Sequence, residues 1–322
     1  MVGCDFVFPK IHGIWAESFS AGRISHLAGG GDLNALSRAL TTVGVDISDR
    51  REVQKALFSK LIEELHRLRQ LLDGALAEYY GCQIERFFFE NVKTLLHYRY
   101  QRPDDAEVLQ RILVAGPGLV ELSVDSLMEA KTVHQFYRLL PNHPSKEDLL
   151  PVLVEVDDSK DMMVAEGRLD RMFYERLFRT VRALPGSPRK AARELADREV
   201  DTVNIVTCLR NAEIYQLPGE RIRATLIDSG GQLDDRLVGK LAGAESADEI
   251  TEALPPPYRT VLRPLADSRL YLLENALWSL IYRMSHRRFR DFNRPGDSVV
   301  AFPFLKRFEA LNLSRLFEGL YL

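Results

Sequence analysis

The sequence predicts an all-α protein built from three similar helical units in a row, and three observations carry that expectation. Asn91, Asn204 and Asn312 stand 113 and 108 residues apart on helical stretches with matching neighbours: Phe87, Val200 and Phe308 four residues before, Leu95, Cys208 and Leu316 four residues after. Positions four apart share one helix face. Each Asn is therefore a polar group within an apolar stripe, which costs free energy unless something bonds to it. A longer block then repeats at an offset of 114 residues: Leu119, Val124, Leu127, Thr132, Leu140 and Pro141 return as Leu233, Val238, Leu241, Ser246, Leu254 and Pro255. Finally, apolar residues recur every three or four positions with no sustained alternation, so few strands are expected.

Each unit reads as a glycine turn with short helices, then long helices ending in the Asn helix. The opening turns are Gly116-Pro117-Gly118-Leu119 and Gly230-Gly231-Gln232-Leu233, with a weaker copy in Arg23-Ile24 followed by Gly30-Gly31-Asp32-Leu33. Glycine runs of this kind end helices in a left-handed conformation. They are not phosphate loops, because Gly29-Gly30-Gly31 lacks the GK[ST] ending and none follows a strand pattern. Thr132 with Gln135, and Ser246 with Glu249, are capping boxes, and both helices should stop at the following proline.

Along the chain, Val53, Leu57, Leu61, Leu65, Leu68, Leu71 and Leu72 mark one helix face, with Asp49 and Glu52 able to cap its start. Gly74 and Gly81 are candidate interruptions, and helix resumes through Asn91 to a stop at Pro103. Short helices follow at about 105–115, 123–130, 133–140 and 146–156, then longer ones at about 163–183 and 187–214. After Leu217-Pro218-Gly219 come helices at about 219–228, 234–243 and 247–254, a break at Pro255-Pro256-Pro257, and helices at about 265–292 and 298–319. The domain division read from this pattern is 1–104, 105–216 and 217–322, three helical repeat domains.

The chain has 322 residues, 46% hydrophobic and 28% charged, so it folds around a sizeable core and is not disordered. Its 43 basic and 46 acidic residues give a net charge of −3, less basic than a protein built to grip nucleic acid. Cys4, Cys82 and Cys208 are odd in number and lack zinc or disulfide spacing, which fits a reducing compartment. No apolar run has the length of a signal peptide or a membrane span.

No catalytic constellation emerges. The seven histidines do not pair at HExxH spacing, there is no GxSxG, and no Cys sits in a nucleophile motif. No catalytic, cofactor-binding or metal-ligating residue is therefore assigned. Asn312-Leu313-Ser314 matches a glycosylation triplet, which means nothing on a cytosolic helix. Arg283, His286, Arg287, Arg288, Arg290 and Arg294 form one concentrated charge cluster. Clustered like charge requires solvent or an acidic partner, and Arg283, Arg287, Arg288 and Arg290 are the candidate partner contact.

These residues resemble a family. The order of turn, short helices, long helices and Asn helix, three times over, is similar to the C subunit of prokaryotic V-type (A-type) ATPases, whose eukaryotic counterpart is the d subunit. The resemblance is clearest at Phe88 to Leu96, at Glu199 to Ile205 with Gly230 to Leu233, and at Phe304 to Leu313. The family pattern sets an acid three residues before the Asn; Asp201 and Glu309 match it and Phe88 departs. The resemblance implies a funnel of three helical domains with pseudo-threefold symmetry and no active site of its own. Such a protein lies peripherally on the cytoplasmic side of the membrane proteolipid ring, receives the D and F subunits of the central stalk, and passes torque between the ATP-hydrolysing head and the proton- or sodium-carrying ring. The alternatives are an unrelated α-helical repeat scaffold for cytosolic proteins, marked by repeats without ring closure, and an all-α enzyme, marked by a deep pocket with convergent titratable groups.

Overall fold

The computed structural model describes residues 2–42, 44–45, 50–101, 106–265 and 268–321, and among these it contains helices and turns with no strand. Asp49 and Pro103, assigned a cap and a stop from sequence, lie outside the described residues. The first part holds α1 (Val2–Glu17), α2 (Ala21–Gly30), α3 (Leu33–Thr42), α4 (Arg50–Arg69) and α5 (Gly74–Gln101). Next come α6 (Ala106–Ile112), α7 (Val124–Glu129), α8 (Val133–Leu139), α9 (Lys146–Ser159), α10 (Met162–Ala183) and α11 (Gly186–Arg210). The last part holds α12 (Gly219–Arg223), α13 (Asp235–Ala242), α14 (Ala247–Ala253), α15 (Tyr258–Leu262), α16 (Leu270–Phe289) and α17 (Pro295–Tyr321).

The capping pattern does what its chemistry requires. Thr132 accepts from the Gln135 amide at 3.1 Å while the Gln135 side chain takes the Thr132 amide at 3.3 Å, closing a full capping box on α8. Ser246 accepts from the Glu249 amide at 3.2 Å at the start of α14, but the Glu249 carboxylate reaches one residue further back, to the Glu245 amide at 3.0 Å. Both helices stop before a proline, and their bounds are offset by 114 residues at both ends. The glycine turns are left-handed where the fold needs it: φ is +58° at Gly31, which ends α2, +79° at Gly118, and +93° and +88° at Gly230 and Gly231.

Several boundaries differ from the sequence expectation, among them the end of α12, expected near residue 228 and found at Arg223. α1 is not anticipated by the sequence pattern, because Pro9 sits inside it and proline normally breaks a helix. Its buried residues Cys4, Val7 and Ile11 step by three and four, and α1 packs on α17, so tertiary burial outweighs the proline. α5 runs straight through Gly81, where the Arg69 guanidinium lies 3.1 Å from where a Cβ would stand. α11 stops at Arg210 and continues as a π-helical turn, Asn211–Tyr215, because Asn211 bonds the Leu217 peptide through both amide atoms, at 3.1 and 2.9 Å. The long helix expected from residue 265 is instead α15, a 3₁₀ turn at Arg263–Leu265, and α16.

The six long helices form three hairpins that close on one another. α4 and α5 meet through Phe58 and Phe87, rings 5.3 Å apart; α10 and α11 through Phe178 and Arg193, at 4.6 Å; α16 and α17 through Tyr282 and Phe308, at 5.8 Å. Between hairpins, α5 packs on α10, α11 on α16, and α17 back on α4. Polar locks tie these seams. The Tyr79 and Tyr80 hydroxyls of α5 donate to the Val300 and Val299 carbonyls of α17 at 3.0 and 2.8 Å. Lys306 of α17 meets Glu64 of α4 at 3.0 Å, and Arg176 of α10 grips Glu85 of α5 with Nη2 2.7 Å from Oε1. One apolar core runs through all three hairpins, and a second gathers the end of α11 with α12 to α16.

Candidate functional site: the junction of the asparagine helices

Asn91 lies on α5, Asn204 on α11 and Asn312 on α17. Asn204 is buried, and its amide clamps the backbone of one residue: Nδ2 donates to the Ile227 carbonyl at 2.8 Å and Oδ1 accepts from the Ile227 N–H at 2.9 Å. Asn91 does the same to Val114, at 2.7 and 3.0 Å, and in both cases the partner lies 23 residues further along. An Asn side chain carries one acceptor and two donors, so it can replace both halves of a missing backbone pairing. Asn312 is half-buried, and no described residue bonds to its amide.

The acid three residues before the Asn holds a turn. Asp201 accepts from the Gln232 amide at 2.9 Å, the Leu233 amide at 3.2 Å and the Tyr258 hydroxyl, which fixes the glycine turn against α11. Glu309 accepts from the Phe19 amide at 2.6 Å and pairs with Lys306 at 2.5 Å. Phe88, which lacks the acid, stacks instead on the His143 ring at 4.0 Å and 14°. That carbon-based contact replaces the polar one. Burial pushes the His143 imidazole below its usual range, with the Arg176 charge adding to the effect and Glu85 opposing it.

Sequence reasoning missed the residues that join the three helices. Five positions before each Asn stand Arg86, Glu199 and Arg307, spaced like the asparagines. They meet in one buried knot: Arg86 Nη2 lies 2.8 Å from Glu199 Oε2, and Arg307 grips Glu199 Oε1. The side chains are 13%, 1% and 10% exposed, so the carboxylate is dry and needs both guanidiniums to offset its lost hydration. Arg86 also lies over the Phe173 ring at 4.2 Å. The sequence signal for the knot is the charged residue that stands at −5 in all three Asn helices, one position beyond the apolar −4.

Above it opens a cavity of about 730 Å³. Apolar wall comes from Phe87, Trp278, Phe308 and Leu311, polar wall from Asn91, Asn312 and Arg315. Arg210 and Glu274, also on the wall, form a bidentate pair at 2.6 and 2.9 Å. Arg210 and Glu274 are thus paired with each other, Arg315 donates to the Asn275 side-chain oxygen at 3.4 Å, and no group of three or more His, Cys, Asp or Glu among the described residues is arranged to hold a metal.

The arginine cluster divides. Arg283 and Arg287 are exposed on α16 and Arg290 just past its end, and together with Tyr282, His286 and Asp291 they border a shallow hollow of about 530 Å³. Arg288 turns inward, with Nη1 3.2 Å from Asp297 and Nη2 on Glu194, so it ties α16 to the third turn of α11 and the first turn of α17. It is not part of the outward face expected for it from the sequence. Gly296, beside it, leaves room for Pro188, whose Cγ would stand 2.4 Å from an added Cβ.

The fold and site define an all-α protein whose long helices close in a ring around a charged junction, with no helix among the described residues long and apolar enough to cross a membrane. The chain belongs to the ATP synthase (C/AC39) subunit family, whose model matches residues 34–322, and so to the C-type subunits of the V/A-type ATPases. It is similar to the C subunit of the A-type ATP synthase of Methanosphaera stadtmanae, 25% identical over 185 residues that cover 58% of this chain and 47% of the relative. It is also similar to the proteins of that name from Haloferax volcanii, 24% identical over 69% of this chain and 64% of the relative, and Methanosarcina acetivorans, 25% identical over 69% and 63%. The chain thus spans about half to just under two thirds of the length of these relatives.

Proposed function

We propose that the chain is the non-catalytic rotor component that links the central stalk of an A-type or V-type ATPase to its membrane proteolipid ring, carrying torque for ATP-coupled proton or sodium transport. The observation that carries this reading is the closed ring of three hairpins locked by Arg86, Glu199 and Arg307 at matched positions. A torque-bearing part must not shear, and a dry ion knot with clamped peptides resists shear because moving any member strands a buried charge. Closure also favours this reading over an open repeat scaffold, whose units touch only their sequence neighbours.

In this reading residues 1–104, 105–216 and 217–322 are three equivalent helical domains around a pseudo-threefold axis, forming a funnel. The D and F subunits of the stalk enter the cavity at the junction, and the opposite end rests on the proteolipid ring at the cytoplasmic face, held by that ring with no span of its own. Arg283, Arg287 and Arg290 are the candidate contact with an acidic partner surface. The test is co-purification from solubilised membranes: stalk proteins and ring should come down with this chain in a fixed ratio. Recovery with neither would overturn the proposal.

A further inference from the structure

The two satisfied asparagines show what the third is built to hold. Asn91 and Asn204 occupy matched positions, and each closes two hydrogen bonds on the N–H and C=O of a single residue that lies just past the end of a short helix, Val114 after α6 and Ile227 after α12. Peptides there have N–H and C=O groups that no helix uses. On α17 the acid position is already served from within: Glu309 holds the Phe19 amide, so the segment after α1 fills the place that the glycine turn fills at Asp201. The amide position is not served. Asn312 sits half-buried between Phe308 and Leu316 on the apolar stripe, faces the cavity of about 730 Å³, and has no hydrogen-bond partner among the described residues.

We infer that Asn312 is a clamp for a peptide supplied by another protein: one main-chain N–H and C=O, presented just past a helix end that enters the cavity. A mid-helix segment would not serve, because its peptide groups are already paired. Phe87, Trp278, Phe308 and Leu311 give that helix end an apolar seat, and the cavity falls within the range that encloses a drug-sized ligand, hence a few residues of chain. Recognition through the main chain sets depth and register while leaving the partner's side chains free to vary.

This inference rests on the proposed function for the identity of the partner, and the probe is the purified D–F stalk pair. Its affinity is measured for the unaltered protein and for Asn312→Ala, Asn312→Asp and Leu311→Glu, with thermal unfolding of each. Asn312→Ala should bind about tenfold more weakly, equivalent to 1.4 kcal/mol, with an unchanged melting temperature. Asn312→Asp, which keeps an acceptor and loses the donor, should bind no better than the Ala variant. Leu311→Glu should abolish binding by charging the seat. If the unaltered protein does not bind the stalk pair, the functional reading fails. If it binds and Leu311→Glu does not, while Asn312→Ala binds normally, the clamp alone is wrong. Normal binding by Leu311→Glu places the stalk elsewhere and also overturns the clamp. So does a melting temperature that falls in Asn312→Ala as far as in Asn91→Ala, which would make Asn312 a structural residue.

Discussion

Asn204 and Ile227 exchange two hydrogen bonds, 2.8 Å from side-chain nitrogen to carbonyl and 2.9 Å from amide to side-chain oxygen, in a buried setting. The Ile227 N–H and C=O have no other partner among the described residues, since α12 has already ended at Arg223. Asn204→Ala strands both groups and should cost about 1–3 kcal/mol. Urea unfolding of the variant, with the slope unchanged, checks this. A midpoint equal to that of the unaltered protein would mean that water or a shifted backbone satisfies Ile227.

A larger loss is expected at Glu199. Its carboxylate is the shared counter-charge of Arg86 and Arg307, and neither guanidinium can shed its proton. Glu199→Gln leaves two like charges side by side in a dry site, and breaking a buried pair costs about 3–5 kcal/mol. Replacing all three together, Arg86→Met, Glu199→Leu and Arg307→Met, removes the charges along with the problem and should recover most of the loss. The comparison of single and triple variants by denaturant unfolding decides whether charge or packing holds the junction.

How much of this could be read from the sequence follows from the range of each signal. Helices with an apolar stripe and a local cap, such as α8 and α14, are written within a few residues, and their bounds agree with the expectation to within a residue. The asparagines stand out because an amide in an apolar stripe is locally improbable. Arg86, Glu199 and Arg307 do not, because a charged residue on a helix is locally unremarkable and becomes informative only when all three meet. α1 is hidden for a similar reason: Pro9 is a local veto, and the burial of Val7 and Ile11 that overrides it comes from α17, nearly 300 residues away. Arg288 looks like its neighbours until the fold sets Glu194 and Asp297 beside it.

The glycine turn gives a contrast within one residue type. Gly231 has φ of +88°, and an added Cβ would stand 2.6 Å from Asp201 Oδ1, the atom that holds the turn. Gly231→Ala should destabilise by about 1–3 kcal/mol through strain at that backbone position. Gly29 lies within α2 with nothing within 4 Å of the same atom. Gly29→Ala should stabilise by roughly 0.5–1 kcal/mol. Opposite shifts in melting temperature are the expected result.

His143 predicts a pH dependence with a definite sign. Burial, the largest cause, lowers its pKa in the fold below the ordinary 6.5. The unfolded chain therefore takes up a proton at a higher pH than the folded chain does. Stability is full above about 6.5 and falls as the pH drops from there toward the lowered folded value. His143→Gln should flatten that part of the profile. Melting temperatures of both proteins across the window give the test, and identical slopes would assign the dependence to other groups such as His12, whose pKa burial also lowers.

The arginine cluster separates holding the fold from meeting a partner. Arg287 and Arg290 are exposed and join no carboxylate among the described residues, whereas Arg288 is bound to Asp297 and Glu194. Arg288→Glu would set three acids together where one guanidinium had served two, and should destabilise the junction of α11, α16 and α17 by about 3–5 kcal/mol. Arg287→Glu with Arg290→Glu changes only solvated charge, so stability should stay within about 0.5 kcal/mol. If the face meets an acidic partner, the same pair should slow assembly, and the difference from the unaltered protein should shrink as salt is added, because exposed charge acts mainly on the rate of encounter and is screened. In a reconstituted complex the effect should appear as ATP hydrolysis that continues while ion transport falls. Unaltered assembly and coupling in the Arg287 and Arg290 double variant, at low salt, would assign that face to solvent.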